Sequence, residues 1–406
     1  MVPVKSTQLL ENKSLAFLLF ARVIGAFSVQ MVTIAVGWQI YSITDSAFYL
    51  GLVGLVEFIP MFLLTIFVGY VADRFNRKVI ICLCKALEGV AVLFLAFVSY
   101  KGWITKEIIL ITVSVLGIVN SFQGPPMQAM LPNIVSKENF PRAAALLASA
   151  FQFATIMGPA FGGILYSFGP NVVYTIAGVL SLCTSFLISL IVLRNQQVNT
   201  QSATIKSLFA GISFIKSKPI ILGAISLDLF AVLFGGATAV LPVFASKILM
   251  VGPIGLGVMR SAPAVGALLM SIVLARRPLK RRVGHIMFTA VIFFGIATIL
   301  FSLSKSFILS LAFLFVLGAS DVISVVIRST LVQLETPDNM RGRVSSVNQM
   351  FIGTSNQLGE FESGITTAWF GPVNAVLIGG IGTIIVVLLW IKLFPKLWSV
   401  DKLENS

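Results

Sequence analysis

Apolar residues fall into twelve runs separated by short polar breaks, and each run is long enough to cross a bilayer. Windows of about 20 apolar residues predict spans over residues 15–41, 48–70, 79–100, 107–131, 143–168 and 171–193. A second set follows over 220–246, 253–275, 283–304, 306–333, 345–369 and 372–394. The runs are continuous rather than alternating, which predicts helices, because in hydrocarbon a helix satisfies its own backbone hydrogen bonds. The expected fold class is an all-α membrane protein with 12 transmembrane helices in two pseudo-symmetric six-helix bundles.

The polar stretch between spans 6 and 7 marks the division. It predicts an N-terminal bundle over 1–193, a cytoplasmic linker over 194–218 and a C-terminal bundle over 219–406. Within the linker, 204–217 has an amphipathic pattern and is expected to lie along the membrane surface. Glu138-Asn139-Phe140 after span 4 echoes Asp338-Asn339-Met340 after span 10, 200 positions later. Weak internal symmetry of this kind is what repeat-built transporters carry.

With 57% hydrophobic and 11% charged residues, no ordinary soluble core absorbs the chain. The net charge of +14 raises nucleic acid as a partner, but the placement of the 29 Lys and Arg removes it. Twenty-one lie on one side of the predicted spans, Arg74, Arg77, Lys78, Arg276, Arg277, Arg281 and Arg282 among them. Only Lys101, Lys106, Lys247 and Lys305 lie on the other. That asymmetry is the positive-inside pattern and puts both termini in the cytoplasm. Residues 1–14 are polar and the first apolar run is a full span, so no cleavable signal peptide is expected. Cys82, Cys84 and Cys183 fall inside spans, with neither disulfide nor metal spacing. No phosphate-binding Gly-rich loop, HExxH or zinc pattern occurs, so neither cofactor, metal nor enzymatic activity is expected.

The loop between spans 2 and 3 reads Gly69-Tyr70-Val71-Ala72-Asp73-Arg74-Phe75-Asn76-Arg77-Lys78. It resembles the G-x-L-A-D-R-x-G-R-[RK] signature of the major facilitator superfamily, with Val71 for Leu and Asn76 for Gly. Asn tolerates the left-handed backbone better than most residues, which lets the turn survive. The resemblance implies a conformational latch built from Gly69, Asp73, Arg74, Arg77 and Lys78, with Asp73 set against the positive N-terminus of span 11. The alternative is an ordinary basic turn that enforces topology. In span 5, Gly158-Pro159-Ala160-Phe161-Gly162-Gly163 resembles the antiporter motif of the same superfamily. Its small residues favour close helix contact, expected against span 8, and Pro159 bends the helix. The alternative is generic small-residue packing. Gln128 to Pro132, Gly342-Arg343-Val344 and Leu358 to Gly364 are similar to the branch that includes the enterobactin exporter and drug efflux proteins. That resemblance implies export of a siderophore or an amphipathic drug-like solute.

Ionisable groups within spans each cost roughly 2.5–3.5 kcal/mol at mid-bilayer and so pair or face water. Six acids (Glu57, Glu88, Asp228, Asp321, Glu360, Glu362) face four bases (Arg22, Lys85, Arg260, Arg328), an excess of two carboxylates. A buried acid without a countercharge favours the protonated form. Lys85 and Glu88, three apart, are expected to pair locally as a snorkelling couple on an outer helix. Asp321 and Arg328 lie two turns apart on one face. Arg22 and Asp228 sit at matching depths and are expected to meet. Arg260 lies near the height of Glu360 and Glu362 and neutralises one of them. Glu57 and the remaining span 11 acid are left over, so Glu57, Glu360, Glu362, Asp228 and Asp321 form the proton-coupling set. For Glu57 a structural hydrogen bond is the alternative.

In the superfamily, spans 1, 4, 7 and 10 line the substrate path. The cavity set is therefore Arg22, Gln30, Trp38, Asn120, Gln123, Gln128, Asp228 and Arg328, amides and an aromatic with few charges, as an amphipathic ligand requires. Gln123-Gly124-Pro125-Pro126 is expected to break span 4, and Gly235-Gly236 to weaken span 7. His285, the only histidine, is expected to be solvated. The expected function is a proton-coupled exporter of the bacterial cytoplasmic membrane. It works by alternating access as a monomer, with lipid, protons and a small molecule as its partners. Uptake of a small polar solute and a lipid-handling membrane protein are the alternatives.

Overall fold

The computed structural model describes residues 12–136, 138–193, 205–277, 279 and 281–402. Twelve long helices follow in order: α1 Lys13–Thr44, α2 Ala47–Arg74, α3 Arg77–Tyr100, α4 Lys106–Met130, α5 Phe140–Tyr166, α6 Pro170–Ser189, α7 Pro219–Phe234, α8 Gly252–Arg276, α9 Val283–Leu303, α10 Phe307–Leu334, α11 Asp338–Phe370 and α12 Pro372–Leu393. A linker helix, Ile205–Ser217, precedes α7. Among the described residues eleven spans are long and apolar enough to cross a membrane, that of α7 counted through to Ile248. The remaining long helix, α11, is too polar to qualify by composition, with Asn348, Gln349, Asn356, Gln357, Glu360 and Glu362 along it. No strand occurs among the described residues.

The chain divides into two compact units, residues 1–43 with 59–203, and residues 44–58 with 204–406. The exchange at 58/59 falls inside α2, beside Pro60, where the helix lacks one backbone donor.

In the first unit, α3 and α6 cross at glycines. A methyl on Gly89 would lie 3.0 Å from the carbonyl of Gly178, and one on Gly178 would lie 3.1 Å from that of Gly89. Leu15, Leu18, Ile81, Met130, Ala143 and Ile188 pack together at one end of this unit. α4 stays helical through Pro125 and Pro126, against the expected break, because a proline removes one donor and need not end a helix held by its neighbours. Its close ends instead in a short turn at Leu131–Asn133. Asn76 caps α3 by accepting from the Lys78 N–H at 3.0 Å, with φ −63° and ψ 114°. The residue is extended rather than left-handed, so Asn stands there as a helix cap and not as a glycine substitute.

In the second unit α8 and α10 come into backbone contact. A methyl on Gly266 would run into the Phe315 carbonyl, and one on Gly318 into that of Pro263. α9, α10 and α12 bury Met287, Phe288, Ile327, Leu331, Val386 and Val387 together. α7 ends at Phe234, and Ala237–Val240, Leu241–Val243 and the wide turn Phe244–Ile248 complete the span, so Gly235-Gly236 is the break expected there. In the linker helix, Ile212, Phe214 and Ile215 pack with Val332, Val344 and Val347, and Gly211 lies against the Arg343 backbone. His285 is not a solvated loop residue. Its ring packs 4.0 Å from that of Trp398, because the C-terminal turn folds back and Val400 accepts from Gly284 N–H.

Candidate functional site

Polar clusters interrupt the apolar packing in both units. In the first unit, α1, α3, α4 and α5 form an open-mouthed cavity of about 210 Å³ lined by Arg22, Gln30, Lys85, Asn120, Gln123 and Phe151, with small residues between them. Glu88 lies behind this wall, 3% exposed. Its Oε2 accepts from Lys85 Nζ at 2.7 Å and from Gln123 Nε2 at 3.0 Å, and its Oε1 accepts from Ser181 Oγ at 2.7 Å. Ser181 in turn meets Ser28 Oγ at 3.0 Å. The Lys85–Glu88 couple expected on an outer helix is instead 5% and 3% exposed, and a charge pair this deep requires such a full set of donors. The i,i+3 spacing gave the pair but not its depth. The signal that was available is the run of hydroxyl and amide residues at Ser28, Gln123 and Ser181, all inside spans.

Arg22 was expected to meet Asp228. Within its own unit its guanidinium stands 4.8 Å above the Phe151 ring, and no carboxylate of that unit is within ion-pair distance of it among the described residues. Gln30, Asn120 and Gln123 share this cavity with it as expected. Trp38, half-buried on α1 but not on the cavity wall, does not, since its Cα is about 24 Å along the helix from that of Arg22. The side chain of Gln128 lies outside the described residues. The antiporter-like motif backs the same cavity. A methyl on Gly158 would come 2.7 Å from Gln30 Cβ, and one on Gly162 would come 3.0 Å from Met31 Cα. Gly158, Pro159, Gly162 and Gly163 are all buried. Within the first unit these glycines therefore let α5 approach α1 closely.

In the second unit Asp228 on α7 and Arg328 on α10 form a buried ion pair. This corrects the expected Asp321–Arg328 bond as well, because seven residues along one helix separate the Cα atoms by about 10.5 Å, while a facing helix offers a nearer acid. Asp321 lines the same small cavity as Asp228, with Ser320, Ser324 and Phe294. It makes no hydrogen bond or ion pair among the described residues, and Arg328 Nε is buried without a partner. On α11, Glu360 meets Arg260 at 3.8 Å, the neutralisation expected for one of the two acids. Glu362 accepts from Thr366 Oγ1 at 2.7 Å. Gly51 and Gly54 on the first turns of α2 lie against Gly364 and Glu360, a methyl on Gly51 coming 2.9 Å from Gly364 Cα and one on Gly54 2.9 Å from Glu360 Cβ. Glu57, one turn further along, is half-buried and has interactions of its own.

Of the latch residues, Lys78 donates to the Ile191 carbonyl at 2.8 Å and Arg74 is exposed. Arg77 opens α3, half-buried. The Asp73 side chain and Gly69 lie outside what is described. The mid-span groups thus divide unevenly. The first unit holds Arg22, Lys85 and Glu88, a net positive wall. The second holds five acids, Glu57, Asp228, Asp321, Glu360 and Glu362, against Arg260 and Arg328.

The family described as "transmembrane secretion effector" matches residues 6–405. The enterobactin exporter EntS of Citrobacter koseri is 25% identical over 382 residues, covering 93% of this chain and 91% of that protein. EntS of Salmonella typhimurium is 25% identical over 384 residues with the same coverage. Among solved structures, a bacterial homologue of the human lysosomal transporter Spinster superposes with a TM-score of 0.71 at 14% identity, covering 95% of each chain. A bacterial homologue of the iron transporter ferroportin gives 0.70 at 16%, over 94% of this chain and 99% of that one. The nucleoside transporter NupG gives 0.68 at 15%, with the same coverage. At such identities the structures establish the fold alone. The protein is a multi-pass membrane transporter, not an enzyme, and it belongs to the transmembrane secretion effector family of the major facilitator superfamily.

Proposed function

We propose that this chain is a proton-coupled exporter of the bacterial cytoplasmic membrane, with both termini cytoplasmic, that moves a siderophore or amphipathic solute outward by alternating access. One observation carries the coupling: in the second unit two acids, buried Asp228 and half-buried Asp321, share one cavity and one cation, Arg328, which makes its ion pair with only the first. Arg328 retains an unsatisfied Nε, and Asp321 makes no hydrogen bond or ion pair among the described residues. A proton on one acid releases the guanidinium to the other, which gives the cluster two arrangements whose balance follows proton supply. The outward direction is supported by similarity to enterobactin exporters over 93% of the chain and by the glycines of α5. The proton sites of Glu57, Glu360 and Glu362 and the latch at Asp73 extend the same reading. The same reading takes the monomer as the transporting unit.

The test is flux in proteoliposomes with an imposed pH step, using a fluorescent amphipathic solute. Export coupled to protons predicts solute movement opposite to the proton flow. Asp321→Asn is expected to lose the response to the pH step by at least tenfold while still exchanging solute at equal pH. Wild-type flux indifferent to the pH step would refute coupling.

A further inference from the structure

The first unit carries an opposite imbalance to the second. Lys85 and Glu88 cancel, and all the donors that reach Glu88 come from behind the wall or from the wall itself, so no carboxylate oxygen is left for the cavity. Lys85 uses one N–H on Glu88 and retains two more, and Arg22 has five N–H groups and no acid of its own unit near it. Gln30 adds an amide donor. The cavity therefore presents an excess of donors and one uncompensated positive charge, next to an aromatic face at Phe151 and the short side chains of Ala21, Gly25 and Ala26. Its volume of about 210 Å³ is below the roughly 300–1,000 Å³ of pockets that enclose a drug-sized ligand, and it suits a single substituted ring.

We propose that this cavity is a docking site for the acidic head of the cargo, a ring-borne carboxylate held between Arg22 and Lys85. Glu88 is the positioning residue that keeps Lys85 at the wall, and Gly158 and Gly162 bring α5 close enough to α1 to set Gln30 beside it. The carboxylate of the ligand takes the place that no side chain of the unit fills, and Arg22 binds it through a bidentate fork. The rest of the cargo extends beyond the cavity. The inference rests on the transport reading for the meaning of the site, but its test measures binding and is independent of proton coupling or direction.

Full-length protein in lipid nanodiscs is titrated with benzoate and with benzamide, a neutral near-isostere, by calorimetry. Saturable benzoate binding at least tenfold tighter than benzamide is expected. Arg22→Gln is expected to bring the two within threefold of each other, and Arg22→Lys to retain most of the preference. A second measurement on the wild type needs no variant. Photolabelling with 4-azidobenzoate is expected to mark peptides within 13–44 and 140–166, and benzoate but not benzamide is expected to protect them. Equal binding of acid and amide, an undiminished acid preference in Arg22→Gln, or labelling confined to residues 205–402 would each overturn the assignment, while leaving proton-driven export to be judged by flux.

Discussion

Removing Arg328 exposes the energetics on which the second cluster depends. Arg328 and Asp228 are 5% and 6% exposed, and Asp321 lines the same cavity. Arg328→Gln leaves two carboxylates in one buried site with no cation, and truncating one partner of a buried pair costs roughly 3–5 kcal/mol. Asp228→Asn is a milder change, because the freed guanidinium has Asp321 as a substitute, and the loss is about 1.5–3 kcal/mol, that of one charged hydrogen bond. In the double variant the pair disappears as a unit. Its cost is expected to fall below the sum of the singles by about 2 kcal/mol, within the range for groups in direct contact. The assay is reversible unfolding in mixed micelles by titration with sodium dodecyl sulfate, followed by tryptophan fluorescence, on all four proteins. Single costs that add within about 0.5 kcal/mol, or an Asp228→Asn protein less stable than Arg328→Gln, would refute the picture of one cation serving two acids.

Two local substitutions probe the packing. Gly318→Ala places a methyl against the Pro263 carbonyl and is expected to destabilise by about 1–3 kcal/mol through overpacking, read as a lower thermal aggregation midpoint of the solubilised protein. A wild-type midpoint would mean that α8 and α10 do not hold this contact. Asn76→Ala removes the cap of α3 and is expected to cost about 1 kcal/mol. Amide exchange at residues 77–80 should then speed up several-fold with no change in the core of α3.

Span positions were legible because the bilayer imposes a length and a composition on each helix, and every predicted window overlaps an observed one, from Lys13–Thr44 to Pro372–Leu393. The break at Gly235-Gly236 was also legible, since two adjacent glycines weaken any helix. Pro125-Pro126 was not: a proline pair reads as a break locally, and only the surrounding helices decide whether the lost donors matter. Pairing was the least legible level. Depth along a helix places Arg22 level with Asp228, yet depth carries no information on azimuth, and azimuth gives Arg328 to Asp228 and puts Arg22 over Phe151. The burial of Glu88 was missed for a similar reason, because its partners Gln123 and Ser181 are 35 and 93 positions away.

The polarity of α11 has a consequence for how the protein is made. Two glutamates at roughly 2.5–3.5 kcal/mol each keep this segment from partitioning into lipid alone. Synthesis runs from the N-terminus, so α8 with Arg260 is already in the membrane when Glu360 emerges, and the glycine face that receives α11, Gly51 and Gly54, was laid down before either. α11 therefore enters as a guest of helices already in the membrane, with α12 the one long helix still to follow.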